Sequence, residues 1–294
     1  MKRYLIISAD DYGISQSTNE AIGRLFDEEK ITSAGILAPA PYAQAAAKTA
    51  AEKGCSIGVH WTLNSEWSGE NAWAPCGDSV PSLLENSSLT ANMAVIKRAK
   101  SGDVTRELDA QYQALLRWGC VPDHADSHCG TLYGINGRLF FLNAYRLCAQ
   151  YDLPYRFCKT DGFLARQFGH APGLPLKAAR SVISGIGRLR GVRLLDDFYS
   201  DPRPVEKICS PEELSAYYEQ QLSTLSGSVC EVFMHPCLPD DTLLARSPQW
   251  QKRVWEYEYL KSGRLIRAAE KLGFTVVSWK DSPLGKGADN EDHP

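Results

Sequence analysis

The sequence predicts an α/β fold of parallel strands, because short β-branched or apolar runs alternate with longer stretches of helical period. Two further observations agree with it. A chain of 294 residues, 44% of them apolar, has the length and apolar content of one β/α barrel. Polar, titratable residues also recur just after the apolar runs, at the strand edge where such folds carry their chemistry.

The elements follow in order. Residues 4–8 read as the first strand and 17–30 as an amphipathic helix. A second strand at 34–37 leads to a helix at 42–53, and a third strand at 56–60 ends on His60. A helix over 104–119 precedes the strand at 123–127, and a helix over 136–151 precedes the strand at 154–157. Strands at 192–195, 230–234 and 275–278 alternate with helices at 211–225 and 248–272, which makes seven or eight units. Several helices begin at Pro or Ser and end at Gly, the usual asymmetry of helix termini. A closed barrel and an open sheet both satisfy this alternation.

Residues 64–89, rich in Ser, Trp, Gly and Asn, and residues 159–190, with repeated Gly and Pro, depart from the rhythm. Connections of that length in a regular α/β chain are expected to be active-site lids or mobile insertions. From about 282 the tail has no apolar period and is expected to be disordered. The whole chain, 1–294, is read as a single domain.

A net charge of -3 without long blocks of one sign lacks the electrostatic footprint of a nucleic-acid or membrane-surface binder, so a small or neutral partner is expected. The nine cysteines are odd in number and scattered, with no CxxC pair, which argues against a disulfide framework or a zinc ribbon and for a reducing cytoplasm. Met1 to Arg3 resemble a charged leader, but Asp10 and Asp11 cut the following apolar run short, so neither a signal peptide nor a membrane span is expected. Oligomeric state is left open.

Asp10 and Asp11, His60, His128 and His235 each fall at or just beyond the end of a different expected strand. Singly, each has an ordinary explanation: the acidic pair as a helix-capping turn, His60 as a hydrogen-bonded strand-end histidine, His235-Pro236 as a strand terminator. In His124-Ala125-Asp126-Ser127-His128, strand period puts His124, Asp126 and His128 on one face, and three such side chains on a buried strand demand partners. Together these groups offer one carboxylate and two imidazoles converging at one barrel mouth, a triad with open coordination positions for a hydrolytic metal. Asp10 then suits the base that takes a proton from metal-bound water, and His235 the group that protonates a leaving amine or stabilises the charged intermediate.

At these residues the chain resembles the YdjC-like (ChbG/HpnK) carbohydrate deacetylase family. The matching pieces are Ile7 to Gly13, Gly58 to Asn64, His124 to His128 and Glu231 to Pro236, in that order. The resemblance implies a distorted β/α barrel that removes acetyl groups from N-acetylated sugars such as chitooligosaccharides with one divalent cation. It implies Asp11, His60 and His128 as metal ligands, Asp10 as base and His235 as acid or oxyanion partner. Ligand softness points to zinc or manganese, and the resemblance adds magnesium. Cys129-Gly130 follows the third motif where relatives often carry further histidines, and Cys237 stands where a glycine is usual, so the pocket wall and the particular sugar are not fixed by the likeness. Trp61, Trp67 and Trp73 are candidates to stack on sugar faces, with core burial the ordinary role of each. Two rival functions share parts of this pattern. A non-haem iron oxygenase uses the same triad but is more often a jelly roll, and a non-catalytic sugar-binding barrel has no need of Asp10 or His235.

Overall fold

The computed structural model describes residues 2–240 and 245–286. β1 (Arg3–Tyr12) opens the sheet, and its period of two sorts its side chains. Leu5, Ile7 and Ala9 join the main apolar core beneath the helices, whereas Ile6, Ser8 and Asp10 serve the barrel interior. α1 (Gln16–Asp27) is capped by Ser15, whose hydroxyl accepts from the Thr18 N–H at 3.0 Å. β2 (Ser33–Ile36), α2 (Ala43–Lys53) and β3 (Ile57–Trp61) continue the alternation. The 64–89 insertion carries a small hairpin, β4 (Leu84–Glu85) with β5 (Ser88–Leu89), and is followed by α3 (Met93–Arg98) and α4 (Ser101–Arg117).

β6 (His124–Ser127), α5 (Phe141–Tyr151) and β7 (Tyr155–Cys158) come next. Residues 159–190, expected to be irregular, instead form two helices, α6 (Gly162–Phe168) and α7 (Leu174–Leu189). The expected strand at 192–195 is the start of a split strand, β8 (Leu194–Leu195) and β9 (Asp197–Tyr199). After α8 (Pro211–Leu222) and β10 (Val229–Met234), the single helix expected at 248–272 is two, α9 (Trp250–Lys261) and α10 (Arg264–Lys271), broken at Gly263 with φ 68°. β11 (Phe274–Val276) ends the regular structure.

The strands order as β8-β7-β6-β3-β2-β1-β10-β9, all parallel, with β11 also pairing β1. β8 and β9 stand at opposite ends of this order but are separated by Asp196 alone, so one segment bridges the two edges and nearly closes a barrel. β11 covers β1 along Arg3 to Leu5, and β2 takes over on that side from Ser8. The expected class, a distorted barrel of seven or eight parallel strands, is the observed one.

Ile6, Phe198, Val229, Trp279 and Leu284 form a separate apolar cluster within the barrel. Trp279 is fully buried: its ring stacks on His124 with centroids 4.8 Å apart, its Nε1–H donates to Glu231 Oε1 at 3.1 Å, and its backbone N–H donates to Ser33 Oγ at 3.2 Å. Room for that stack comes from Gly58, where an added Cβ would lie 2.3 Å from His124 Nε2. Of the tail expected to be disordered from about 282, Ser282 and Leu284 are buried, while 287–294 lie outside the described residues. All nine cysteines are free thiols. Among the described residues no helix is long and apolar enough to cross a membrane.

Trp279→Ala should therefore lower stability by about 3–5 kcal/mol, the usual cost of deleting a buried aromatic ring. Urea unfolding followed by circular dichroism measures it, and a loss below about 1 kcal/mol would contradict a floor held by Trp279.

Candidate active site

Consecutive strand residues normally point to opposite faces, so Asp10 and Asp11 need a local device to serve one site. The pairing of β1 with β2 shifts register between Ala9 and Tyr12, and Asp11 adopts a left-handed backbone at φ 64°. This bulge turns Asp11 toward the imidazoles at the ends of β3 and β6. His60 Nε2 lies 3.4 Å and His128 Nδ1 3.1 Å from Asp11 Oδ1, and the two ring nitrogens are 3.2 Å apart. All three residues are buried.

Neither Asp11 carboxylate oxygen accepts a hydrogen bond, and one ligand atom from each of the three residues lies within 4.8 Å of the others. A buried carboxylate without hydrogen bonds, facing two imidazole nitrogens, is a donor set that suits a divalent cation. Burial alone would raise the Asp11 carboxyl, yet the Arg253 guanidinium, 2.7 Å from Oδ2, and the two imidazoles hold it well below the ordinary carboxylate range. Burial would lower His60, but Asp126, with Oδ1 at 2.8 Å from Nδ1, and then Asp10 push it up to about 10. Asp126 also fixes the ring so that Nε2 faces Asp11.

Behind the triad lies Arg156 on β7, which the sequence reading passed over. Its guanidinium is fully enclosed and meets three carboxylates. Both Asp10 oxygens accept from it at 2.6 and 2.9 Å, both Glu231 oxygens at 2.7 and 2.9 Å, and Asp126 Oδ2 is 2.5 Å away. Burial would raise the Asp126 carboxyl, but Arg156 and His60 bring it down to about 2. Glu231 accepts further from Ser8 Oγ, at 2.5 Å, and from Trp279.

His235 is the least enclosed of the expected site residues, with its side chain 31% exposed, and it borders both cavities that flank the triad. Its backbone N–H donates to Glu256 Oε2 at 2.8 Å. The larger cavity, of about 900 Å³, has Asp10, His60 and Arg156 at its polar end. Its apolar wall includes Phe163, Phe168, Phe198 and Phe233, the first two from α6 in the insertion over 159–190. A smaller one, of about 350 Å³, reaches Asp11, His128, Glu66 and Arg253. Strand period did place His124 and Asp126 inside the barrel, but His124 stacks on Trp279 and donates from Nδ1 to Asp123 Oδ1 at 2.6 Å rather than joining the triad. Trp61 and Trp73 are buried, and Trp67 is half-buried.

Sequence comparison matches residues 4–271 to the profile described as YdjC-like protein. The chain belongs to the YdjC-like family. Its relatives span nearly the full chain: a carbohydrate deacetylase from Geobacillus stearothermophilus is 28% identical over 96% of this chain and 98% of its own length. A chitooligosaccharide deacetylase from Proteus mirabilis is 32% identical over 96% and 99%. Among solved structures, an Enterococcus faecalis protein described as a cellobiose-phosphate cleavage protein superposes with a TM-score of 0.75 at 24% identity, covering 95% of this YdjC-like chain and 98% of its own, and so shares the fold.

Removing the one cation that three buried carboxylates share leaves them uncompensated. Arg156→Met should destabilise the protein by about 3–5 kcal/mol in urea unfolding, the cost of breaking a buried ion pair from one side. A variant as stable as the parent would show that these carboxylates find other compensation.

Proposed function

We propose that this protein is a metal-dependent carbohydrate N-deacetylase, with Asp11, His60 and His128 holding one divalent cation. The observation that carries the reading is the placement of Asp10, His60 and His235 on one cavity, with His60 also within ligand distance of Asp11 and His128. The names of its YdjC-like relatives support an acetylated, chitooligosaccharide-like sugar as substrate. A bound divalent ion supplies Lewis acidity, polarising the amide carbonyl and lowering the pKa of a coordinated water.

The protein's own groups do the rest. Asp10 accepts the proton of the attacking water, and Arg156 aims it through two hydrogen bonds. That guanidinium is divided among three carboxylates, Asp10, Asp126 and Glu231, so it holds Asp10 in place without belonging to it alone. His235, reachable from solvent, delivers a proton to the departing amine. The apolar wall excludes water from the sugar faces, and its aromatic rings suit stacking on them. An iron oxygenase would leave Asp10 and His235 without a task. Free thiols throughout fit a reducing cytoplasm, and the pairing of β1 with β10 and β11 fits a single domain. Zinc, manganese or magnesium each fill the cation role, the imidazoles favouring the first two.

The test is acetate release from N-acetylated mono- and oligosaccharides. Activity should vanish on chelation and return with an added divalent ion, whereas full turnover by metal-free protein would refute the mechanism. The two aspartates should also separate. Asp10→Asn should keep its metal and lose turnover by roughly 10²–10⁴-fold, the contribution of a positioned base, while Asp11→Asn should lose both metal and turnover. Metal content and rate measured on both variants decide the assignment, and the reverse pattern would exchange the two roles.

A further inference from the structure

Outside the triad, a second set of donors meets at the far side of His128. Glu66 Oε1 and Cys129 Sγ each lie 3.3 Å from His128 Nε2, the ring nitrogen opposite the one directed at Asp11. One ligand atom from each of Glu66, His128 and Cys129 falls within 4.8 Å of the others. Cys129 takes its place there through a left-handed backbone, φ 49° and ψ 20°, which a residue with a side chain holds only where the surroundings enforce it. Arg253 sits 2.7 Å from Asp11 but 3.7 Å from Glu66, so Glu66 is the less compensated of the two carboxylates. All three donors line the 350 Å³ cavity, and Cys129 is exposed, which gives an ion a way in.

We propose that Glu66, Cys129 and the Nε2 of His128 form a second metal position, separate from Asp11 and His60, for a thiophilic divalent ion such as Zn²⁺ or Cd²⁺. Thiolate, imidazole and carboxylate together select soft or borderline ions, and magnesium, which takes oxygen ligands, is rejected. Uptake releases the Cys129 thiol proton and the proton on His128 Nε2, and no other bond changes. Since Cys129 borders both cavities, an ion held there narrows the approach to Asp10. Occupation therefore inhibits, a consequence that rests on the deacetylase reading, whereas binding does not.

The experiment titrates the reduced, metal-stripped full chain with Cd²⁺, following the ultraviolet thiolate-to-cadmium charge-transfer band and the ions bound per chain. The wild type should bind two ions, one of them with the band. Cys129→Ser should lose the band and one ion. Glu66→Gln should weaken that ion by more than the roughly 10–100-fold that changes outside a ligand set cost. Cys209→Ser, altering the other exposed thiol, should keep both ions. A band that survives in Cys129→Ser, or no band in the wild type, overturns the proposal. One ion per wild-type chain, carrying a band that Cys129→Ser abolishes, would uphold this position and refute the triad's. In acetate release, Zn²⁺ beyond one ion per chain should slow the wild type and leave Cys129→Ser at its own rate; equal inhibition of both would refute the inhibitory role.

Discussion

One guanidinium governs the interior of this barrel. Arg156 reaches from β7 to Asp10 on β1, Asp126 on β6 and Glu231 on β10, so four strands that the backbone ladder joins at their edges are also tied across the middle. Charges so deeply buried persist only when paired, and here each carboxylate has a second duty. Asp10 faces the cavity, Asp126 sets the His60 ring, and Glu231 receives the indole of Trp279 from below. The barrel floor, its electrostatic centre and the polar end of the cavity thus form one connected set, and packing at the bottom bears on geometry at the top.

Most of the architecture was legible because parallel strands buried on both faces read as apolar runs, and the four sets of titratable residues at their ends lay in plain view. What escaped has physical reasons. Arg156 sits in the four-residue strand Tyr155–Cys158, where one cation does not break the apolar reading. A charged residue inside a buried strand nonetheless signals a buried partner, and Glu231 within Val229–Met234 carried the matching signal. Arg253 reaches Asp11 from α9, a long-range contact that no local pattern encodes.

Helix α7 was hidden by its glycines and proline, which lower helical propensity. Gly187 answers to packing instead: an added Cβ would meet the Tyr145 ring at 3.0 Å. The Asp10-Asp11 pair does lie near the end of β1, but the register shift beside it follows from the β1–β2 pairing and not from composition. His124, by contrast, has the residue type and the strand face of a ligand, and is a packing partner because Gly58 and Trp279 leave it a slot lower in the barrel.

The first strand carries both aspartates, yet two of its three neighbours come from far along the chain: Tyr4 pairs with Val229 and Arg3 with Phe274. During synthesis this strand emerges first and waits, its ladder groups on one side unmatched, until the C-terminal strands leave the ribosome. Such distant pairing makes for slow closure. The Asp10-Asp11 end of β1 is therefore made well before two of its strand partners and takes shape only with them, so a chain lacking those strands has the acidic residues without the geometry.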